Sequence, residues 1–197
     1  PLYSRFRNPD LGKAFRLLQA QGRDAFYKGA IGQAIVAKSQ TLGGSITMAD
    51  LGSVHAKWVQ PVTTRYRGYD LFEMPPSTQG FAVLEMMNIV EQCGPKIGVD
   101  VKQAGPKSAA YWHLMVEAKK LAYADLERNN GDPEFNPVPT DRLTSPAYAA
   151  SLCARIDPKR ASTPAKGDDP IGGTVYLATA DRFGNVVSMI YSIYGEF

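Results

Sequence analysis

GGTVYLATADRFGNVVSMIYS, residues 172–192, is the stretch that decides the fold of this chain. Two runs rich in β-branched and aromatic residues, 174–180 and 186–192, flank the turn-type residues 181–185. Such runs favour β-strands, and a short loop containing Gly between them is typical of a hairpin. The pattern therefore predicts an antiparallel β-hairpin.

The register of this hairpin brings two hydroxyl side chains together. If the loop is centred on Phe183, Thr174 at the start of the first strand lies opposite Ser192 at the end of the second. Directly opposed residues have Cβ atoms about 4.5–5.5 Å apart, and a Thr–Ser pair at that distance can hydrogen-bond. We therefore expect Ser192 to orient the Thr174 hydroxyl, unless a β-bulge changes the register.

The junction before this hairpin points to self-cleavage. Residues 157–173, rich in Pro, Gly, Lys and Asp, predict an exposed, mobile linker that leads directly onto a buried strand. Gly173 adopts strained backbone conformations at little cost, which lets the Thr174 hydroxyl attack the Gly173 carbonyl. Cleavage frees the Thr174 α-amine, a general base with a pKa of about 7.7–8.0 when unperturbed. Thr174 is the predicted nucleophile, the Gly173–Thr174 bond is the predicted cleavage site, and the uncut chain is expected to be inactive.

A structural interpretation of the same residues stays open. A Gly-Gly-Thr sequence is common at the start of a strand, and a Thr–Ser pair often only stabilises a sheet. In that case the chain is a non-catalytic scaffold or binding domain.

The rest of the chain predicts a helical scaffold. Residues 1–156 show mainly helical periodicity, with strand-like alternation at 58–66 and 69–73. The fold class is therefore α+β. We divide the chain into 1–156, the linker 157–173, and the hairpin region 174–197.

Composition excludes several classes of function. The net charge is only +3 and the basic residues are scattered, which argues against a nucleic-acid partner. No run reaches the roughly 18 apolar residues of a membrane span. Cys93 and Cys153 lie in apolar helical contexts, so we expect two buried free thiols rather than a disulfide. His55 and His113 lack neighbours at metal-ligand spacing, and we predict no metal and no cofactor.

Several motifs, in chain order, resemble those of the gamma-glutamyltranspeptidase family of N-terminal-nucleophile hydrolases. The matching segments are Asn8-Pro9, Gly22–Gly29, Gly43-Gly44 with Asp50-Leu51, Tyr66–Tyr69, Pro75–Gly80, Gly131–Pro133, Leu143–Ser145, and Thr174 with Asp181, Gly184 and Asn185.

The resemblance implies a proenzyme that cuts itself before Thr174 into a large and a small subunit. Its implied fold is a four-layer αββα sandwich, with residues 1–156 in the large subunit. The implied reaction passes a γ-glutamyl group from a glutathione-type donor through an acyl-enzyme to an amino acid or water. Ser192 matches a position that the family usually gives to a Thr that hydrogen-bonds the nucleophile. The Pro75–Gly80 loop is expected to be structural.

Two departures from the family pattern concern the substrate. Val175-Tyr176 stand where Thr-His usually follows the nucleophile, and Tyr194 stands where an Asn usually contacts the γ-glutamyl donor. A Tyr cannot offer the same amide contacts. An acylase of the same architecture, acting on a β-lactam or another amide, is therefore the alternative.

The resemblance also implies that parts of the active site lie outside this sequence. The family's oxyanion hole and its donor-binding Arg have no counterpart here, and the chain has no initiator Met. We expect an internal part of a longer proenzyme, inactive alone and dependent on the remainder of its own large and small subunits. The compartment stays open.

Overall fold

The computed structural model describes residue 5, residues 7–163 and residues 174–192, with the backbone alone at Thr174 and Tyr191. The chain divides into two compact units, Pro1–Trp58 and Val59–Phe197.

The first unit is helical in its described part. Its helices are α1 Pro9–Gln21, α2 Arg23–Tyr27, α3 Ala30–Thr41 and α4 Met48–Ser53. Local chemistry sets the helix starts: the Asn8 side chain accepts from the backbone N–H of Leu11, and Thr47 and Asp50 form a reciprocal capping box.

The second unit combines a small sheet, a helical core and a hairpin. Its elements are β1 Val62–Tyr66, β2 Tyr69–Glu73, α5 Gly80–Cys93, α6 Val101–Ala104, α7 Ala109–Asn129, α8 Thr140–Leu143, α9 Pro146–Leu152, β3 Thr174–Ala180 and β4 Val186–Ser192. Single turns of 3₁₀ helix follow α5 and α9, at Pro95–Ile97 and Cys153–Arg155. The first strand is shorter than the predicted 58–66, since Pro61 has no N–H for a ladder and the Trp58 side chain is fully exposed.

Helix α5 is the centre of the core of the second unit. It packs on α7, α9 and the β1–β2 sheet. The fully buried side chains at this centre include Phe81, Ile89, Leu114 and Leu143. This arrangement confirms a mixed helix and strand architecture, and the described residues contain two separate two-stranded antiparallel sheets.

A disulfide closes the helical core, and our prediction of two free thiols was wrong. Cys93 at the end of α5 is bonded to Cys153, the first residue of the turn after α9. The two cysteines are 60 residues apart in sequence, so only the packing of α5 on α9 brings them together. The prediction failed because an apolar context is equally typical of a buried thiol and of a buried disulfide.

The predicted hairpin forms with the predicted register. Strands β3 and β4 span 174–180 and 186–192, and Thr174 is the Cα partner of Ser192. The expectation of a buried strand was wrong for this chain, because every described side chain of the two strands is exposed. A two-stranded ribbon does not by itself bury either of its faces.

Candidate active site

The β3–β4 ladder positions the candidate nucleophile. Thr174 is the first residue of β3, and seven consecutive Cα pairs, from Ala180–Val186 to Thr174–Ser192, carry the register without a bulge. Ser192, which is exposed, is thereby held across the ladder from Thr174. Two hydroxyl side chains can hydrogen-bond across a ladder only if their residues are directly opposed, and the backbone pairs Thr174 and Ser192 in this way.

The loop between the strands fixes that register. The Asp181 Oδ1 atom accepts hydrogen bonds from the backbone N–H of Phe183 at 2.8 Å and of Asn185 at 3.0 Å. The Asn185 Nδ2 atom donates to Asp181 Oδ2 at 2.8 Å, and this bond contributes most to lowering the pKa of Asp181 below its ordinary value. Gly184 has a φ of 85°, which a residue with a side chain rarely adopts. The family-like residues of this loop therefore have a structural role.

Two other residues of the predicted site lie outside the described residues. These are Gly173, on the acyl side of the predicted cleavage site, and Tyr194, the predicted donor contact. The first part of the linker is described, and residues 157–163 are exposed.

The histidines and the Pro75–Gly80 loop make structural contacts. The His113 Nε2 atom lies 2.8 Å from the carbonyl oxygen of Asp157, and His55 Nδ1 lies 2.8 Å from that of Ser53. Within the loop, the Thr78 hydroxyl lies within hydrogen-bond distance of the carbonyl oxygens of Met74 and Pro75. Across the described ranges, no group of three or more His, Cys, Asp or Glu side chains is placed to hold a metal ion.

A buried acidic pair in the helical core was missed by the sequence analysis. Glu85 on α5 is completely buried, and neither of its carboxyl oxygens has a hydrogen-bond partner among the residues that the structure describes. Asp125 on α7 lies beside it and accepts a 2.6 Å hydrogen bond from the Tyr148 hydroxyl. Arg142, stacked on the Tyr148 ring at 4.5 Å, is the nearby positive charge. A signal was present, because Glu85 and Asp125 fall on the apolar stripes of their helices.

Burial of Glu85, and next the negative charge of Asp125, raise the pKa of the Glu85 carboxyl from 4.5 to about 9. The folded protein therefore keeps this proton at neutral pH, whereas the unfolded chain releases it. The stability contribution is complete below the unfolded pKa of 4.5 and is lost as pH rises towards 9. The loss amounts to about 1.4 kcal/mol per pH unit for one proton.

We predict that Glu85→Gln stabilises the full-length protein at alkaline pH. An amide keeps the shape and cannot ionise, so the difference in unfolding free energy from the wild type should grow between pH 5 and pH 8. Chemical denaturation at several pH values measures it, with the exposed Glu127→Gln as the matched control. A difference that stays constant with pH would contradict a buried, protonated Glu85.

A second missed cluster lies on α7. Glu117, only 2% exposed, accepts a 2.6 Å hydrogen bond from Lys120 Nζ at its Oε1 atom. The backbone N–H of Ser162 also donates to this carboxylate, at 3.2 Å from Oε1 and 3.3 Å from Oε2. Lys120 Nζ also donates to the Ser162 carbonyl oxygen at 2.7 Å. Burial acts to raise the pKa of Glu117, but the hydrogen bonds from Lys120 and Ser162 outweigh it, and the pKa lies below its ordinary value.

Comparison with known proteins decides the family. The family described as gamma-glutamyltranspeptidase has a sequence model that matches residues 2–197, nearly the whole chain. The chain belongs to the gamma-glutamyltranspeptidase family. This confirms the resemblance that rested on the motifs between Asn8 and Asn185.

Relatives in this family include both hydrolases and acylases. The chain is 36% identical to the glutathione hydrolase-like YwrD proenzyme of Bacillus subtilis (strain 168), over 98% of this chain and 35% of the relative. It is 35% identical to the glutathione hydrolase proenzyme of Escherichia coli (strain K12), over 95% of this chain and 33% of the relative. The crystal structure of cephalosporin acylase from Bacillus halodurans matches with a TM-score of 0.77 and 31% identity, over 96% of this chain and 33% of that one.

The chain thus spans about one third of the length of these relatives. The match to the solved acylase structure is a match of fold, and it agrees with the mixed helices and strands of this chain. No helix in the described part is long and apolar enough to cross a membrane.

Proposed function

We propose that the full-length protein is a proenzyme that cleaves itself before Thr174 and then transfers or hydrolyses a γ-glutamyl group. The observation that carries the proposal is the β3–β4 register, which pairs Thr174 with Ser192 at the start of the hairpin. The proenzyme names of the relatives support self-processing as the way in which the nucleophile is released.

In the processing step, the Thr174 hydroxyl oxygen attacks the Gly173 carbonyl carbon. The C–N bond between the two residues breaks, and the Thr174 nitrogen takes up the proton that the hydroxyl gives up, which leaves a free α-amine. The product is an ester between Gly173 and the Thr174 side chain. Water then hydrolyses this ester, which leaves a carboxylate on Gly173 and restores the hydroxyl.

In the catalytic step, the same hydroxyl attacks the carbonyl of the γ-glutamyl amide. The α-amine accepts the hydroxyl proton and passes it to the departing amine, since an unperturbed α-amine has a pKa of about 7.7–8.0. The resulting acyl-enzyme on Thr174 is attacked by water or by an amino acid, which regenerates the hydroxyl. Ser192 orients the nucleophile in both steps.

In the complete protein, the hairpin is proposed to join the four-layer αββα sandwich. Residues 1–156 belong to the large subunit, 157–173 form the linker, and 174–197 begin the small subunit. Because the oxyanion hole is proposed to come from the remainder of the subunits, the 197-residue chain is expected to be inactive alone.

A second candidate function is an acylase for a different amide. It is favoured by the similarity to the cephalosporin acylase and by Tyr194, where the family usually has the donor-contacting Asn. Release of p-nitroaniline from the γ-glutamyl and the glutaryl anilides by the processed full-length protein distinguishes the two. Turnover of the γ-glutamyl anilide supports the first proposal, and turnover of the glutaryl anilide alone would replace it by the acylase. A full-length protein that stays uncut and turns over neither anilide would favour the non-catalytic interpretation.

Loss of the Ser192 hydroxyl is expected to slow both steps. A hydrogen bond that contributes about 1 kcal/mol corresponds to a rate change of roughly five- to tenfold. We expect Ser192→Ala to lower the rate of processing and kcat by that amount, and Ser192→Thr to retain most of both. Gel densitometry and steady-state kinetics measure them.

The matched control is Ser188→Ala on the same strand, whose hydroxyl donates to Tyr176 at 3.1 Å. It should leave both rates unchanged. Equal rates in Ser192→Ala and the wild type would remove Ser192 from the proposed site.

A further inference from the structure

Near the end of the described part of the linker, Glu117 and Lys120 of α7 hold the backbone of Ser162 in a set of contacts that we call the clamp. Ser162 is held by both of its backbone hydrogen-bonding groups: its N–H points to the Glu117 carboxylate, and its carbonyl accepts from Lys120 Nζ. Lys120 Nζ and Glu117 Oε1 are themselves 2.6 Å apart, so the three residues form a closed set of contacts.

The ion pair of this clamp is shielded from water, whereas Ser162 is exposed. The Glu117 side chain is 3% exposed and that of Lys120 is 20% exposed, so water competes weakly for the contact between the two side chains. Hydrogen bonds to a charged group are stronger than neutral ones, and a buried carboxylate that loses a partner is left with a large desolvation cost.

We propose that Glu117 and Lys120 are positioning residues for self-cleavage, because they fix the chain at Ser162 at the start of the segment that leads to the Gly173–Thr174 bond. The inference rests on the proposed function. With the clamp closed, the segment between Ser162 and Thr174 comprises residues 163–173, which are 11 residues. After cleavage, the same clamp still holds Ser162, which lies 11 residues before the new end of the large subunit.

The expected loss of processing rate depends on which residue before Ser162 is the next one held against the helical core. Without the clamp, that residue is Asp157, whose carbonyl oxygen accepts from His113 at 2.8 Å. The segment between that point and Thr174 then comprises residues 158–173, which are 16 residues. Chain-closure entropy varies with the logarithm of length, so this change predicts processing that is about twofold slower.

The first measurement is the rate of processing of the full-length protein, followed after cell-free synthesis on denaturing gels. Lys120→Met and Glu117→Gln are expected to be about twofold slower than the wild type. Lys120→Arg keeps the charge and should restore part of the rate. Lys119→Met is the matched control, since it removes a neighbouring charge from the same helix at a side chain that lies over the Tyr123 ring. It should process at the wild-type rate.

The second measurement detects release of the clamp directly, in a Thr174→Ala background where no processing intervenes. Trypsin cuts after Arg160, two residues before the clamped Ser162, and it cuts faster when the local backbone opens. We expect Lys120→Met to speed this cut at least about fivefold, and Lys119→Met to leave it unchanged. Thermal denaturation shows whether the fold is otherwise intact. If Lys120→Met unfolds the protein, Glu117→Gln takes its place in the trypsin experiment.

The outcomes separate the two proposals. A wild-type protein that stays uncut would overturn the proposed function and this inference with it. A wild type that is cut, with Lys120→Met and Glu117→Gln processing at its rate, would overturn the inference alone. If trypsin cuts after Arg160 no faster in Lys120→Met and Glu117→Gln than in the protein with an intact clamp, the inference is also overturned, because the clamp would not be holding the chain.

Discussion

Replacing Thr174 with Ala is expected to leave the full-length protein as one uncut, inactive chain. The alanine side chain has no oxygen to attack the Gly173 carbonyl, and uncatalysed peptide hydrolysis is negligible over the time of an experiment. We therefore expect processing to fall by several orders of magnitude, in line with the loss of a nucleophile. A denaturing gel measures it, with one band for the variant and two for the wild type.

The conservative variant makes this prediction specific. Thr174→Ser keeps the hydroxyl and should still process, whereas Thr179→Ala removes a threonine of the same strand that faces Val187 rather than Ser192 and should process normally. Two bands from Thr174→Ala would sink the proposed mechanism. A single band from Thr179→Ala as well would indicate a general folding failure of the hairpin. The uncut Thr174→Ala variant would then no longer be evidence that Thr174 is the nucleophile.

Removing the disulfide is expected to cause the second large effect. The Cys93–Cys153 bond closes a loop with a sequence separation of 60, and the loss of such a bond lowers the free energy of unfolding by about 2–5 kcal/mol. We expect the double variant Cys93→Ala/Cys153→Ala to unfold at a lower denaturant concentration than the wild type. Equilibrium unfolding of the full-length protein, monitored through the helical signal, gives the difference.

Reduction provides the control for the disulfide prediction. A thiol reductant should lower the stability of the wild type towards that of the double variant, and it should leave the double variant unchanged. A wild type whose stability does not respond to the reductant, or whose mass shows two free thiols under non-reducing conditions, would contradict a structural role for this bond.

The sequence was sufficient where the information is local. The β-branched runs on either side of the Asp181–Asn185 loop predicted both strands of the hairpin and the pairing of Thr174 with Ser192. The capping box at Thr47 and Asp50, which starts α4, is equally local, because its two residues are three positions apart. Each of these features depends on residues fewer than 20 positions apart, for which spacing alone determines the geometry.

The sequence was insufficient where distant elements meet. Nothing local distinguishes Cys93 and Cys153 from free thiols, since their bond requires the packing of α5 on α9. Glu85 falls on the apolar stripe of α5, but its neighbour Asp125 comes from another helix, so no local pattern reveals the pair. The clamp on Ser162 was missed for the same reason, because Glu117 is 45 residues away in sequence.

The most direct test of self-cleavage is the sequence at the new N-terminus of the processed full-length protein. The account predicts two polypeptides, of which the smaller begins Thr-Val-Tyr-Leu-Ala-Thr, residues 174–179. N-terminal sequencing together with the intact mass of each polypeptide gives the cut site to a single residue. A protein that stays whole, or a smaller polypeptide that begins at any residue other than Thr174, would contradict the account.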